Sequence, residues 1–340
     1  MGNNDAWLAK LEEPALEPEL PICDCHHHLW GYRDHPAATR YLLDDLLADI
    51  NDSGHNIVST VFVDSNAMFR ARGDRATAPV GEVEFANGVA AMCASGLYGK
   101  TQVAAGIISH ADMTLGSAAG AVLDGLARAA PARFRGVRHS AAWDADDGLP
   151  KHRHVKAPQL LLDETFRAGI AEVARRGLVY ECYLWHPQLP ELTDLAHAFP
   201  DLTIICNHCG GPLGAESYRG KRDAVMAEWR TSMAELAKCE NVMVKLGGVN
   251  MVVNGHDWEK RELPPSSDEM VAAAGSYIEQ SIELFGVERG MFESNYPAER
   301  TTAGYGAVWN FFKKITSSFS ADEKAALYHD NAARVYRLEV

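Results

Sequence analysis

Short apolar, β-rich runs recur along the chain with longer helical patterns between them, and this alternation limits the fold more than any other feature. Eight such runs stand at 22–28, 57–64, 102–109, 134–140, 178–185, 202–208, 242–247 and 291–295. Between them the apolar spacing turns helical, at 41–51, 84–95, 117–130, 160–176, 188–199, 224–238 and 270–285, and two more helical stretches close the chain at 306–317 and 321–336. Strand–helix alternation implies parallel pairing through right-handed crossovers. Eight units with Val- and Ile-rich strands fit a closed (β/α)8 TIM barrel better than an open sheet. No linker-like segment interrupts the 340 residues, so one domain is expected, with the barrel over about 21–318 and a C-terminal helix over about 320–337. That helix opens on Ser320-Ala321-Asp322-Glu323, a capping box.

A barrel places its chemistry at the C-terminal ends of its strands. Here those ends are polar: Asp24-Cys25-His26-His27-His28 on the first strand, Asp64-Ser65-Asn66 on the second, Arg138-His139 on the fourth, Trp185-His186 after the fifth, Asn207-His208 on the sixth and Glu293-Ser294-Asn295 on the eighth. Alternation along the first strand turns His26 and His28 to one face, with Asp24 on the same face, and His27 to the other. Two imidazoles at the mouth suit a divalent metal or a polarised carbonyl. The plain alternative is a solvated polar strand end.

With 32 Lys and Arg against 46 Asp and Glu, the charge of −14 argues against nucleic acid as a partner. A small anion remains compatible, because arginine forks grip carboxylates locally. Arg138 at a strand end is the first candidate, its alternative being a pair with Asp144; Arg70, Arg72 and Arg75 follow the second strand, and Arg153 and Lys156 the fourth. His139, His186 and Asn66 are further substrate contacts, and the long loop carrying Asn250, Asn254, His256 and Trp258 reads as a lid. Seven scattered cysteines make no disulfide framework and point to a reducing cytoplasm. Cys206-x-x-Cys209 lacks a second ligand pair and reads as two small buried hydrophobes. No signal segment, membrane span, phosphate loop or dinucleotide fingerprint stands in the sequence, so no nucleotide or organic cofactor and no membrane are expected. Nothing in the pattern sets oligomeric state, and a homo-oligomer stays open.

The motifs Asp24-x-His26-x-His28-Leu29-Trp30, Asn207-His208-Cys209-Gly210-Gly211-Pro212, Lys245-Leu246-Gly247-Gly248 and Phe292-Glu293-Ser294-Asn295-Tyr296-Pro297 resemble the amidohydrolase superfamily. More narrowly they resemble its amidohydrolase-2 branch, which includes 2-pyrone-4,6-dicarboxylate lactonase, and Asn331-Ala332 with Tyr336 is similar to that branch's closing helix. The resemblance implies that His26, His28 and His208 polarise a carbonyl directly or through a divalent metal, zinc first. It also implies opening of a lactone or related ester in a small carboxylated metabolite. The branch's strand-8 aspartate falls on Asn295, which cannot act as a base but can orient water. Glu293, on the same side, either takes the base role or is a buried acid paired with Lys245 or a histidine. Two alternatives accompany this: a zinc-dependent decarboxylase or hydratase of an aromatic or ring-cleavage acid, and a binding barrel that has lost its chemistry.

Overall fold

The computed structural model describes residues 4–32, 38–150, 154–155 and 157–339. Eight parallel strands run in chain order: β1 Ile22–His27, β2 Ile57–Val63, β3 Gln102–His110, β4 Phe134–Arg138, β5 Val179–Cys182, β6 Ile204–Cys206, β7 Val242–Leu246 and β8 Gly290–Phe292. The crossover helices are α1 Leu43–Asp52, α2 Val80–Ala94, α3 Ala119–Ala129, α4 Glu164–Arg175, α5 Leu189–Ala198, α6 Arg222–Leu236 and α7 Ser267–Phe285, and α8 Tyr305–Ile315 follows β8. This is the expected (β/α)8 barrel. It closes just past β8, where Asn295 N donates to His26 O at 2.9 Å and His28 N to Tyr296 O at 2.7 Å. The segments that carry the candidate site are therefore the ones that shut the barrel.

Alternation sorts the strand residues into two layers. Val61, Val63, Ile108, Val179, Ile205, Met243 and Met291 point inward, while Phe62, Ile107, Tyr180, Ile204 and Val244 pack against the helices. The C-terminal run (Ala321–Ala325, Ala326–Asp330, Asn331–Val335) places Ala332, Val335 and Tyr336 against the inward layer. Arg337 Nη1 donates to Gly177 O, ahead of β5, at 3.2 Å, so this segment plugs the barrel at the end opposite the mouth. Its Ser320–Glu323 capping box is formed as expected.

Apart from β3, which runs one residue further to His110, the observed strands stop short of the expected runs: 178–185 contracts to Val179–Cys182, and 291–295 ends at Phe292. The polar residues past each last ladder bond leave the sheet to bend into the mouth. One expectation about faces fails. The β1–β2 register shifts between Asp24 and His27, and that irregularity turns Asp24 away from His26 and His28. Asp24 accepts instead from Ser294 N at 2.9 Å, Ser294 Oγ at 2.6 Å and Tyr305 Oη at 3.0 Å, pinning β1 to the β8 loop and α8. Burial raises its pKa to about 6.

Candidate active site

His26 and His28 reach the mouth together, Nε2 to Nε2 at 3.2 Å, while His27 turns outward to Thr60 Oγ1 at 2.9 Å. His28 Nδ1 lies 2.9 Å from Val63 O, which can only accept, so the Nδ1 proton is there and the Nε2 lone pair faces His26. Burial, with Arg138 nearby, holds the His28 pKa well below its ordinary value, and burial with Lys245 does the same for His26. Both rings are neutral at neutral pH.

Glu293 joins this pair to β6. Its Oε1 lies 2.6 Å from His208 Nδ1 and its Oε2 2.7 Å from His26 Nδ1, and the carboxylate is fully buried. The Oε2 contact is close but off the hydrogen-bond line, leaving that oxygen without an aligned donor. His208 sits at φ 54° in the turn after β6. The space beside it exists because residue 248 is glycine: at φ +62° a Cβ there would lie 2.4 Å from the imidazole. Asn295 follows at φ 52°, with a buried Nδ2 that has no partner.

Two cations flank His26. Lys245, fully buried, gives two of its hydrogens to Glu181 at 2.8 and 3.0 Å and lies 3.2 Å from His26 Nδ1. Arg138 places Nε 2.7 Å from Asp64 Oδ1, Nη2 against Asp64 O, and Nη1 3.2 Å from His26 Nε2. The alternative pair with Asp144 is not formed, and the fork expected to grip a substrate carboxylate lies on Asp64 instead; Asp144 accepts from Tyr218 Oη at 2.7 Å. A cation buried at a strand end takes the nearest strand-end carboxylate, which is Asp64, and its fork is thereby committed.

The remaining candidates lie further out. His139 is buried behind the mouth, its Nδ1 accepting from Met113 N at 3.1 Å. Asn66 Oδ1 meets His154 Nε2 at 2.8 Å and lines a cavity of about 1510 Å³ over the loops after β2, β3 and β4, beside Phe69, Arg70, Arg75, His110 and Asp112. Arg72 is exposed outside that lining. His186 packs on Tyr218 at 5.4 Å under the loop after β6. Trp258 stacks on His256 at 5.3 Å in the expected lid, which Asn254 ties to Pro212 O at 2.8 Å. Arg153 and Lys156 lie outside the described residues. Sequence reasoning missed Glu181, Asp64 as the partner of Arg138, and His110; an acid between Tyr180 and Cys182 in an apolar strand was the available signal for the first.

A divalent ion would suit this donor set. Ligand atoms of His26, His208 and Glu293 lie within 4.8 Å of one another, the buried Glu293 Oε2 lacks an aligned donor, and the His28 lone pair faces His26. Lys245 and Arg138 do not forbid it, since Glu181 and Asp64 already neutralise them.

A family profile described as amidohydrolase matches residues 23–338. The chain belongs to the amidohydrolase-2 family. The uncharacterised protein y4mH of Sinorhizobium fredii is 32% identical over 338 residues, covering 94% of this chain and 99% of that protein. An L-fucono-1,5-lactonase of Burkholderia multivorans is 30% identical over 207 residues, 61% of this chain and 64% of that enzyme. A Burkholderia multivorans amidohydrolase crystallised with bound zinc shares the fold, with a TM-score of 0.70 and 24% identity over 93% of this chain and 99% of that one. No helix among the described residues is long and apolar enough to cross a membrane.

Proposed function

We propose that the protein hydrolyses the ring ester of a small lactone at the cluster of His26, His28, His208 and Glu293. The observation that carries the reading is one buried carboxylate spanning two imidazoles, at 2.6 and 2.7 Å, in the mouth of an amidohydrolase barrel. The relatives named as L-fucono-1,5-lactonases support the lactone. A divalent ion, zinc by the preference of imidazole donors, would be held by the imidazoles of His26, His28 and His208, leaving the Glu293 carboxylate beside them to the water, and when bound it would supply electrophilic polarisation of the ester carbonyl.

The side chains do the rest. Glu293 Oε2, without an aligned donor, receives the proton of the attacking water, and the neutral Asn295 orients that water by hydrogen bonding. Glu293 Oε2 then returns that proton to the departing ring oxygen, with His26 Nδ1 beside it at 2.7 Å. Water adds to the carbonyl, the ring carbon–oxygen bond breaks, and the ring oxygen departs with a proton as the alcohol of a hydroxy acid. With the Arg138 fork on Asp64, a substrate carboxylate would be held by Arg75, which is exposed on the wall of the cavity. A compact soluble metabolite, anionic, is the substrate class proposed, in the cytoplasm.

The test is a panel of 1,5- and 1,4-lactones, with and without a second carboxylate, followed by proton release in weakly buffered solution. At least one should be opened far faster than its spontaneous rate. Loss of carbon dioxide from aromatic acids, with every lactone untouched, would assign the barrel to decarboxylation instead.

A further inference from the structure

We propose that Tyr336, at the far end of the barrel from the mouth, is a positioning residue for the reaction and acts through Glu181 and Lys245 on His26. The inference rests on the reading of His26 as part of the reacting cluster. Five contacts form one continuous network through the barrel interior. Tyr336 Oη donates to Glu181 Oε1 at 2.6 Å, and Asn207 Nδ2 donates to Glu181 Oε2 at 2.9 Å. Lys245 Nζ meets the same two oxygens at 3.0 and 2.8 Å and lies 3.2 Å from His26 Nδ1. Tyr336, Glu181, Lys245 and His26 are each wholly buried, so no solvent screens the path. The Tyr336 ring also lies beneath the ammonium, 5.6 Å from ring centre to Nζ.

The geometry is restrictive because an ammonium has three hydrogens. Two go to Glu181, and the orientation of that carboxylate decides where the third points. Glu181 is in turn held by one donor from below, Tyr336, and one from the mouth side, Asn207. Removing the lower donor frees the carboxylate to rotate, and the ammonium turns with it. His26 Nδ1 has a second suitor, Glu293 Oε2 at 2.7 Å. Displacing Lys245 therefore moves the His26 ring against the Glu293 carboxylate, whose Oε2 lies close to it but has no aligned donor. A tyrosine serving only as apolar filling for the barrel floor would need no hydroxyl, yet this hydroxyl makes the shortest contact of the path.

The experiment is Tyr336→Phe in the full chain, which removes one oxygen and keeps the ring. Two readouts are taken: kcat and KM on whichever lactone the wild type opens, and the imidazole nitrogen NMR signals of His26 in protein labelled at histidine, assigned with His26→Asn. We expect kcat to fall about 10-fold, the usual size for a partner one step behind a reacting group, with little change in KM and a shifted His26 signal. Glu181→Gln, which keeps the size but removes the charge and turns one acceptor oxygen into a donor, should shift the same signal further, and it carries the test if the phenylalanine variant does not fold. Unchanged His26 signals in a folded variant overturn the proposal, as does lower thermal stability with kcat per folded molecule intact. A shifted His26 signal in a protein that opens no lactone upholds the positioning path and removes the proposed function.

Discussion

Arg138 shows how a residue can be legible in place and illegible in partner. Its strand-end position marks it from the sequence, but only folding shows that Asp64 Oδ1 takes Nε at 2.7 Å and leaves Nη1 toward His26. This changes what its substitution should do. Arg138→Lys keeps the charge but cannot span Asp64 and His26 together, so kcat should fall, with a stability loss of about 1–3 kcal/mol from the broken buried bonds. Steady-state kinetics beside chemical denaturation measure both; a raised KM with kcat and stability unchanged would return Arg138 to holding substrate. Metal binding belongs to the same scale. Equilibrium dialysis against zinc should show binding that His26→Asn weakens and His139→Asn does not, because His139 lies behind the mouth with Nδ1 on Met113 N at 3.1 Å. Equal loss in both variants would place the ion elsewhere.

At the scale of elements, the alternation of strand and helix was readable because both faces of each strand are buried and the helices carry their own caps, Ser266–Glu269 on α7 among them. The register shift in β1 was not, since nothing in Asp-Cys-His-His-His distinguishes a regular strand from one with an irregularity. It moved Asp24 to Ser294 and Tyr305 and left His26 and His28 facing inward. The turn after β7 was readable only as two glycines, and its purpose lies in a neighbour far along the chain. Gly248→Ala would carry a Cβ at φ +62° against the His208 ring. We expect about 1–2 kcal/mol of backbone strain, a lower melting temperature and a lower kcat as His208 leaves Glu293. Calorimetry and kinetics that match the wild type would show that His208 is not confined there.

Over the whole molecule, burial of imidazoles governs the response to acid. Burial lowers the pKa of His27 and His139 to about 3 and of His55, His186 and His256 to about 4. In the unfolded chain these rings titrate near 6.5. Below that value the unfolded state binds the extra protons, so stability present above it is lost as pH falls toward the folded pKa values. Three buried acids oppose this, their pKa raised by burial: Asp24 to about 6, and Glu82 and Glu299 to about 8. Their folded forms hold protons that the unfolded chain has released, which adds stability as pH falls toward about 4. Burial also lowers the pKa of His26, His28 and His110 and raises that of Asp49 and Glu191, so eight rings stand against five acids and the melting temperature should drop between pH 6.5 and 4.5, which thermal scans in matched ionic strength check. A flat or rising melting temperature over that window would mean that the rings are charged in the folded state.

The cluster itself was half readable, and the unread half is where the account is most exposed. Sequence placed His26, His28, His208 and Glu293 at the ends of the first, sixth and eighth strands, but left Glu293 open between a base and a structural acid. The fold pairs Lys245 with Glu181 and leaves Glu293 to the two histidines. The most direct measurement is the initial rate of proton release from an opened lactone by Glu293→Gln against wild type, at equal folded concentration. Glutamine keeps the size and the hydrogen-bonding reach but cannot take the proton, so we predict a fall in kcat of at least about 100-fold with the fold intact. A stable Glu293→Gln protein that turns over lactone at the wild-type rate would contradict the account.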